Sequence, residues 1–229
     1  IMCPSISVGE TGTVNGITYT KRTRADLLAL LAVGNEVEME TSCISGITDL
    51  HSLFEDVTSF NVDISSWDTG SVTDMSSMFE GADSFNQDIS SWDVSTVTTM
   101  EDMFWDAICF NQDLSGWDVR SVTNMDYMFY YASSFNQDLR DWCASNVTSS
   151  PDRFGWYSGG ISAPLWDDLD CDGIADAQDS DADGDGVVSA DDCDDMDETL
   201  GNIANDVDCD GILTADDCDD NNPNTVNDM

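Results

Sequence analysis

Positive charge is almost missing from this chain: 6 Lys and Arg stand against 47 Asp and Glu, for a formal net charge of -41. Such a surface repels nucleic acid and anionic lipid headgroups, which excludes a nucleic-acid partner. Histidine is scarcer still, and His51 alone leaves no His-rich metal site and no triad chemistry. No apolar run of about 18 residues is present, so membrane insertion is not expected. No secretory leader pattern stands at the N-terminus, and the chain reads as a mature, processed one. A phosphate-cradling glycine loop is also lacking, since Gly159-Gly160 falls in a linker-like stretch. Carboxylates are plentiful, but their spacing is that of turns and calcium loops rather than of an acid and a base in unlike surroundings. The chain is therefore not expected to be an enzyme.

What is present begins with a break in composition. Hydrophobic residues make up 41% of the chain, enough for a core, but no Lys or Arg follows Arg153 and Asp dominates after Leu165. Three of the six basic residues cluster at Lys21, Arg22 and Arg24. Either a neighbouring subunit's acidic surface or plain solvation at a helix start would suit that cluster. Eight cysteines occur without a Cys-x-x-Cys pair, which reads as disulfides and an oxidising compartment rather than as zinc sites. Cys3 with Cys43 would pin the N-terminal region. Cys171 with Cys193 and Cys209 with Cys218 are the pairings expected further on, although four cysteines permit three arrangements. Cys109 and Cys143 have no obvious mutual geometry, and either has the tail or another chain as a partner. Asn146-Val147-Thr148 is an N-glycosylation acceptor, with Asn146 as the modified residue.

A 25-residue period runs through the middle of the chain. Phe60, Phe85, Phe110 and Phe135 are each followed by Asn; Trp67, Trp92, Trp117 and Trp142 keep the same step, as do Val72, Val97, Val122 and Val147. Met75, Met100 and Met125 follow it, then Met78, Met103 and Met128, with Phe54, Phe79, Phe104, Phe129 and Phe154 closing the pattern. Within a unit, Val72, Met75, Met78, Phe79 and Ala82 share the spacing of one helix face. Phe85, Gln87 and Ile89 alternate with polar residues as in a short strand. The expected fold is thus an α/β solenoid, leucine-rich-repeat-like, with one short strand and one short helix per coil and an irregular calcium-stabilised C-terminal tail. Columns of Phe, Trp, Met and Asn would line its axis, the Asn column satisfying backbone groups at the turns. The domains read as a cap over 1–36 with a helix in TRADLLALLAV, repeats over 37–155, a linker over 156–166 and acidic repeats over 167–229. At the far end Val147 and Phe154 are expected in phase, with Ser150 and Arg153 replacing two methionines.

Val-Thr-x-Met-x-x-Met-Phe followed by Phe-Asn-Gln-Asp-Ile-Ser-x-Trp-Asp resembles the surface-protein repeat of the BspA-like leucine-rich family, over about residues 37 to 154. That resemblance implies a secreted or cell-surface protein with a role in adhesion, and no particular ligand.

The acidic segment carries D-x-D-x-D-G three times: Asp168, Asp170, Asp172 before Gly173; Asp181, Asp183, Asp185 before Gly186; and Asp206, Asp208, Asp210 before Gly211. Ile174, Val187 and Ile212 follow the glycines, and Asp179, Asp192 and Asp217 lie six residues past them. Alternate carboxylates, a sharp glycine turn, a following carbonyl and a closing carboxylate are what a calcium loop requires, so about three Ca2+ ions are expected. The segment resembles thrombospondin type 3 repeats and Asp-Cys-Asp-Asp metal-binding repeats, seen at Asp192-Cys193-Asp194-Asp195 and Asp217-Cys218-Asp219-Asp220. Asp in place of a closing Glu implies constitutive structural binding rather than sensing. The function expected is an extracellular calcium-stabilised structural protein, subunit of a filament or cell-surface assembly and thus a homo-oligomer. The alternative is an adhesion module that binds a glycan or surface protein through Trp105, Tyr127, Tyr130 and Tyr131.

Overall fold

The computed structural model describes residues 3, 6–147, 149–194, 196, 197, 199, 200 and 202–204. The chain divides into two units, Ile1–Pro164 and Leu165–Met229.

The first unit starts with a hairpin of β1 (Thr11–Val14) and β2 (Ile17–Lys21), paired antiparallel from Thr11↔Thr20 to Val14↔Ile17. Asn15 and Gly16 join them at φ 52° and 83°. Positive φ at both central residues matches the right-handed twist of the strands, which is why Asn-Gly suits this two-residue turn. Helix α1 (Arg24–Ala32) follows, with Thr23 and Asp26 forming a reciprocal capping box and Leu27 and Leu30 buried. A short β3 (Ser42–Cys43) then lies parallel to β2. The Cys3–Cys43 disulfide, with Cα atoms 6.4 Å apart, fastens the N-terminal segment to this strand.

The expected α/β solenoid is not formed. Among the described residues α1 is the only α-helix, the β1-β2-β3 sheet is the only sheet, and beyond β3 the 25-residue units contain neither a helix nor a strand. Turns explain the apolar spacing that imitates a helix. Met78 N–H bonds back to Met75, Glu80 to Ser77, Ala82 to Phe79 and Phe85 to Ala82, each three residues away. The intervening N–H groups of Met75, Ser77, Phe79 and Gly81 instead donate to the next unit, at Thr99, Glu101, Met103 and Trp105. A helix would keep all of these bonds internal, and left-handed Ser77 (φ 52°) and Gly81 (φ 64°) break any such run.

The strand expected around Phe85–Ile89 is replaced by a side-chain ladder. Asn86 N–H donates to Asn61 Oδ1, Asn111 to Asn86 Oδ1 and Asn136 to Asn111 Oδ1, at 2.9–3.1 Å. Gln87, Gln112 and Gln137 brace the same oxygens through Nε2. Asparagine carbonyls thus take the place of the backbone carbonyls of a sheet, and isolated parallel bridges add ladder-like backbone pairing along Asp49, Asp74, Thr99 and Asn124 and between Asp138 and Ser162.

The periodic side chains do form columns. Phe54, Phe79, Phe104 and Phe129 stack at 5.4–5.5 Å, and Phe60, Phe85, Phe110 and Phe135 at 5.7–5.8 Å. All eight are fully buried, as are Met75, Met78, Met100, Met103, Met125 and Met128. Each tryptophan satisfies its indole N–H on the preceding unit: Trp67 on Met39 O, Trp92 on Ile64 O, Trp117 on Ile89 O and Trp142 on Leu114 O. Met39 therefore occupies the place of Ile64 one period earlier.

The last unit is out of step by one residue. Phe54, Phe79 and Phe104 donate to the carbonyls of Met78, Met103 and Met128, 24 residues on, whereas Phe129 donates to Phe154, 25 on. Phe154 thus sits in the methionine row, and it meets Phe129 edge-on at 84° instead of stacking. The sequence placed Phe154 in the phenylalanine row because one extra residue in a turn leaves no trace in composition.

Candidate metal centre

The second unit has little apolar core: after Pro164 the only buried hydrophobic residue among those described is Ala182. Its order comes from aspartates that fold the chain around their own carboxylates. In the first acidic loop Asp168 Oδ2 accepts from Gly173 N–H, Asp170 Oδ1 from Asp172 N–H and Asp172 Oδ1 from Ile174 N–H. The second loop repeats the scheme with Asp181 and Gly186, Asp183 and Asp185, and Asp185 and Val187. Gly173 and Gly186 both stand at φ 92°, a backbone that L side chains rarely adopt.

These turns bring Asp168, Asp170 and Asp172 together, and likewise Asp181, Asp183 and Asp185, with one carboxylate oxygen from each residue within 4.8 Å of the others. Each set could hold a metal ion. The fit is tested by what the protein itself leaves unsatisfied. Asp168 Oδ1, Asp183 Oδ2 and Asp192 Oδ2 are enclosed and have no hydrogen-bond partner, and Asp183 and Asp192 are themselves buried. A buried carboxylate oxygen without a donor is costly unless a cation meets it. Burial pushes the Asp183 carboxyl above its usual range, with Asp185, Asp192 and Asp181 adding repulsion. Burial likewise raises Asp168, with Asp170 and Asp172 contributing. A divalent cation reverses that sign by stabilising the ionised forms.

The two loops touch. A Cβ on Gly184 would lie 2.7 Å from the Asp170 Cβ, so only glycine permits this approach, and its φ of 72° requires it as well.

The other expected ligands divide. Asp192, six residues past Gly186, is buried and close enough to repel Asp183, as a closing ligand should be. Asp179 Oδ1 accepts from Asp181 N–H, as the carboxylates of both triplets accept from their own loops. Asp176, which sequence reasoning passed over, supports the first loop, taking Leu169 N–H on Oδ1 at 2.8 Å. Ile174 and Val187 follow their glycines with N–H groups held by Asp172 and Asp185. Asp206, Asp208, Asp210, Ile212, Asp217, Cys209 and Cys218 lie outside the described residues.

Cys171 and Cys193 are disulfide-bonded, and so is Cys143. Cys109 is a free, exposed thiol. Asn146 is exposed, and its Nδ2, the atom a glycan would take, donates to Arg120 O. His51 is exposed and engaged with Ser76, the residue one period on. Lys21, Arg22 and Arg24 line one cavity of about 540 Å3 with Val8, Ile47 and Asp49. Arg22 pairs there with Glu38. No helix among the described residues is long and apolar enough to cross a membrane; the disulfides agree with a secreted or surface location.

No curated protein and no solved structure matches the chain. A family match covers residues 41–158, just over half of the 229 residues, and takes in the stacked 25-residue units but not the acidic loops. The chain belongs to the family described as Mycoplasma protein of unknown function, DUF285.

Proposed function

We propose that the chain is an extracellular structural protein whose acidic unit is held in shape by bound calcium, and that it serves as a subunit of a filament or cell-surface assembly. The observation that carries this reading is the pair of aspartate loops with enclosed, donorless carboxylate oxygens at Asp168, Asp183 and Asp192. All-oxygen donors on adaptable loops favour Ca2+ over the smaller, strictly octahedral Mg2+. The third D-x-D-x-D-G at Asp206, Asp208 and Asp210 brings the expected number of ions to about three, and the likeness to thrombospondin type 3 repeats belongs to the same reading. Catalysis has no part in it. Assembly into a homo-oligomer is supported by the exposed Cys109 thiol and by the Lys21, Arg22 and Arg24 cavity in a chain of net charge -41.

Isothermal titration of the chelator-stripped full chain with Ca2+ and with Mg2+ tests the metal. Saturable uptake of more than one Ca2+, preferred over Mg2+ and weakened by Asp183→Asn, is the expected result. Analytical ultracentrifugation with Ca2+ tests assembly: larger species that shrink in EGTA, or on Cys109→Ser, are expected, and a strict monomer at high concentration contradicts that half of the reading.

A second reading, a recognition module for a glycan or a surface protein, is favoured by one observation. Trp156, Tyr157 and Tyr131 of the first unit are 59%, 62% and 43% exposed beside the aromatic residues that interrupt the repeat.

A further inference from the structure

Two rows of residues in the stacked units hold a left-handed backbone. One runs through Ser52, Ser77, Asp102 and Tyr127, at φ 52–57°, and continues after the one-residue slip at Arg153. The other runs through Asp56, Gly81, Asp106 and Tyr131, at φ 54–64°, and continues at Tyr157, φ 63°. Glycine and aspartate accept this conformation at little cost, but for a bulky aromatic it is an outlier. The bulkiest residues in this conformation fall in the last units, where three tyrosines stand in positions that earlier units fill with Ser, Asp or Gly. Strained backbone of this kind concentrates at binding sites, where a side chain must be aimed rather than merely stored.

These side chains are not drawn into the core. Tyr131 and Tyr157 stack at 4.8 Å and 9° yet stay exposed, and Trp156 beside them is exposed too. Tyr130 lies 4.3 Å from Tyr131, and Arg153 spans Tyr127, Tyr130 and Trp156 at 5.6–5.8 Å from each ring. Neighbouring aromatics of this size are a recognition surface more than a solvated face.

Charge narrows the occupant. Glu101, Asp102, Asp126 and Asp152 belong to the same tiers, in a chain of net charge -41, so an anion is repelled. A cation would compete with Arg153, the last basic residue of the sequence, which already lies over the rings. An uncharged ligand remains, with an apolar face for the rings and hydroxyls for the phenols and carboxylates. We propose that Tyr131, Trp156 and Tyr157, backed by Tyr127, Tyr130 and Arg153, form a binding surface for neutral carbohydrate. This rests on the recognition reading above.

The test puts the full chain, in Ca2+, on a printed array of neutral, sialylated and sulfated oligosaccharides, and in parallel on an array of extracellular-matrix proteins. Binding to neutral glycans is expected, weakened about tenfold or more by Trp156→Ala and by Tyr131→Asn. Tyr131→Asn should also hold or raise the melting temperature, because asparagine tolerates the left-handed backbone, whereas a mere packing role predicts a lowered one. No neutral-glycan binding, or binding that both variants retain, overturns the proposal. Binding to the protein array alone, lost in the same variants, overturns the carbohydrate assignment but leaves the recognition reading standing. Silence on both arrays removes both.

Discussion

The two units solve one problem in opposite ways. Among the described residues neither has extended helices or sheets to make it rigid: the first has α1 over Arg24–Ala32 and a small three-stranded sheet, and the second only a 3-10 turn at Asp176–Gln178. The first unit compensates with buried columns of Phe, Met and Trp and with side chains that complete the backbone ladder from one 25-residue tier to the next. The described residues of the second bury little apolar surface, and their carboxylates turn the chain around themselves while leaving inward oxygens without a donor. Stacking supplies order from within the sequence. On the proposed reading the acidic loops take a component from outside it, a cation that offsets the mutual repulsion of their carboxylates.

That contrast breaks most visibly in the core of the first unit. Phe104→Ala removes a fully buried ring that stacks on Phe79 and Phe129, and should cost about 3–5 kcal/mol. Denaturant unfolding should show this loss equally in Ca2+ and in EGTA. Next comes the metal. Each site filled at about 100 times its Kd contributes about 2.7 kcal/mol, so calorimetry should show a calcium-dependent transition that Asp183→Asn weakens, beside one for the stacked units that calcium does not move.

Smaller effects sharpen the comparison. Asn86→Ala deletes the carbonyl that accepts from Asn111 N–H and Gln112 Nε2. These bonds are exposed, so the loss should be about 1 kcal/mol by denaturant midpoint. The smallest effect is one of pH. Burial, with Glu80, Glu101 and Asp126 nearby, raises Asp102 from 3.8 to about 6. The folded state holds that proton more tightly than the unfolded one, so the contribution is full below about pH 4 and is lost as pH rises through about 6. Asp102→Asn should flatten this decline in a pH series of thermal melts, its advantage over the parent appearing near neutrality and vanishing in acid.

The columns were legible in the sequence because large side chains recur in phase, and a 25-residue step in Phe, Trp, Met and Asn dictates which residues meet. The local backbone was not. A spacing of three residues between Met75 and Met78 belongs equally to a helix face and to successive turns, and only the destination of the intervening N–H groups separates them. Alternation at Phe85, Gln87 and Ile89 looked like a strand, but asparagine oxygens replaced the neighbouring backbone. The hairpin at Asn15-Gly16 did carry its turn signal, and it went unread beside the louder repeat. In the acidic unit the ligand triplets followed from spacing alone. The support from Asp176 and the close approach of Gly184 to Asp170 depend on how two loops pack, which no single motif encodes.

The measurement that reaches furthest is amide hydrogen exchange on the full chain in Ca2+ and in EGTA, followed peptide by peptide. Protection across Asp168–Asp192 should collapse on chelation while the tiers from Leu50 to Val147 keep theirs. Protection of the aspartate loops that survives EGTA unchanged would contradict the account, for the acidic unit would then be holding itself together without a cation.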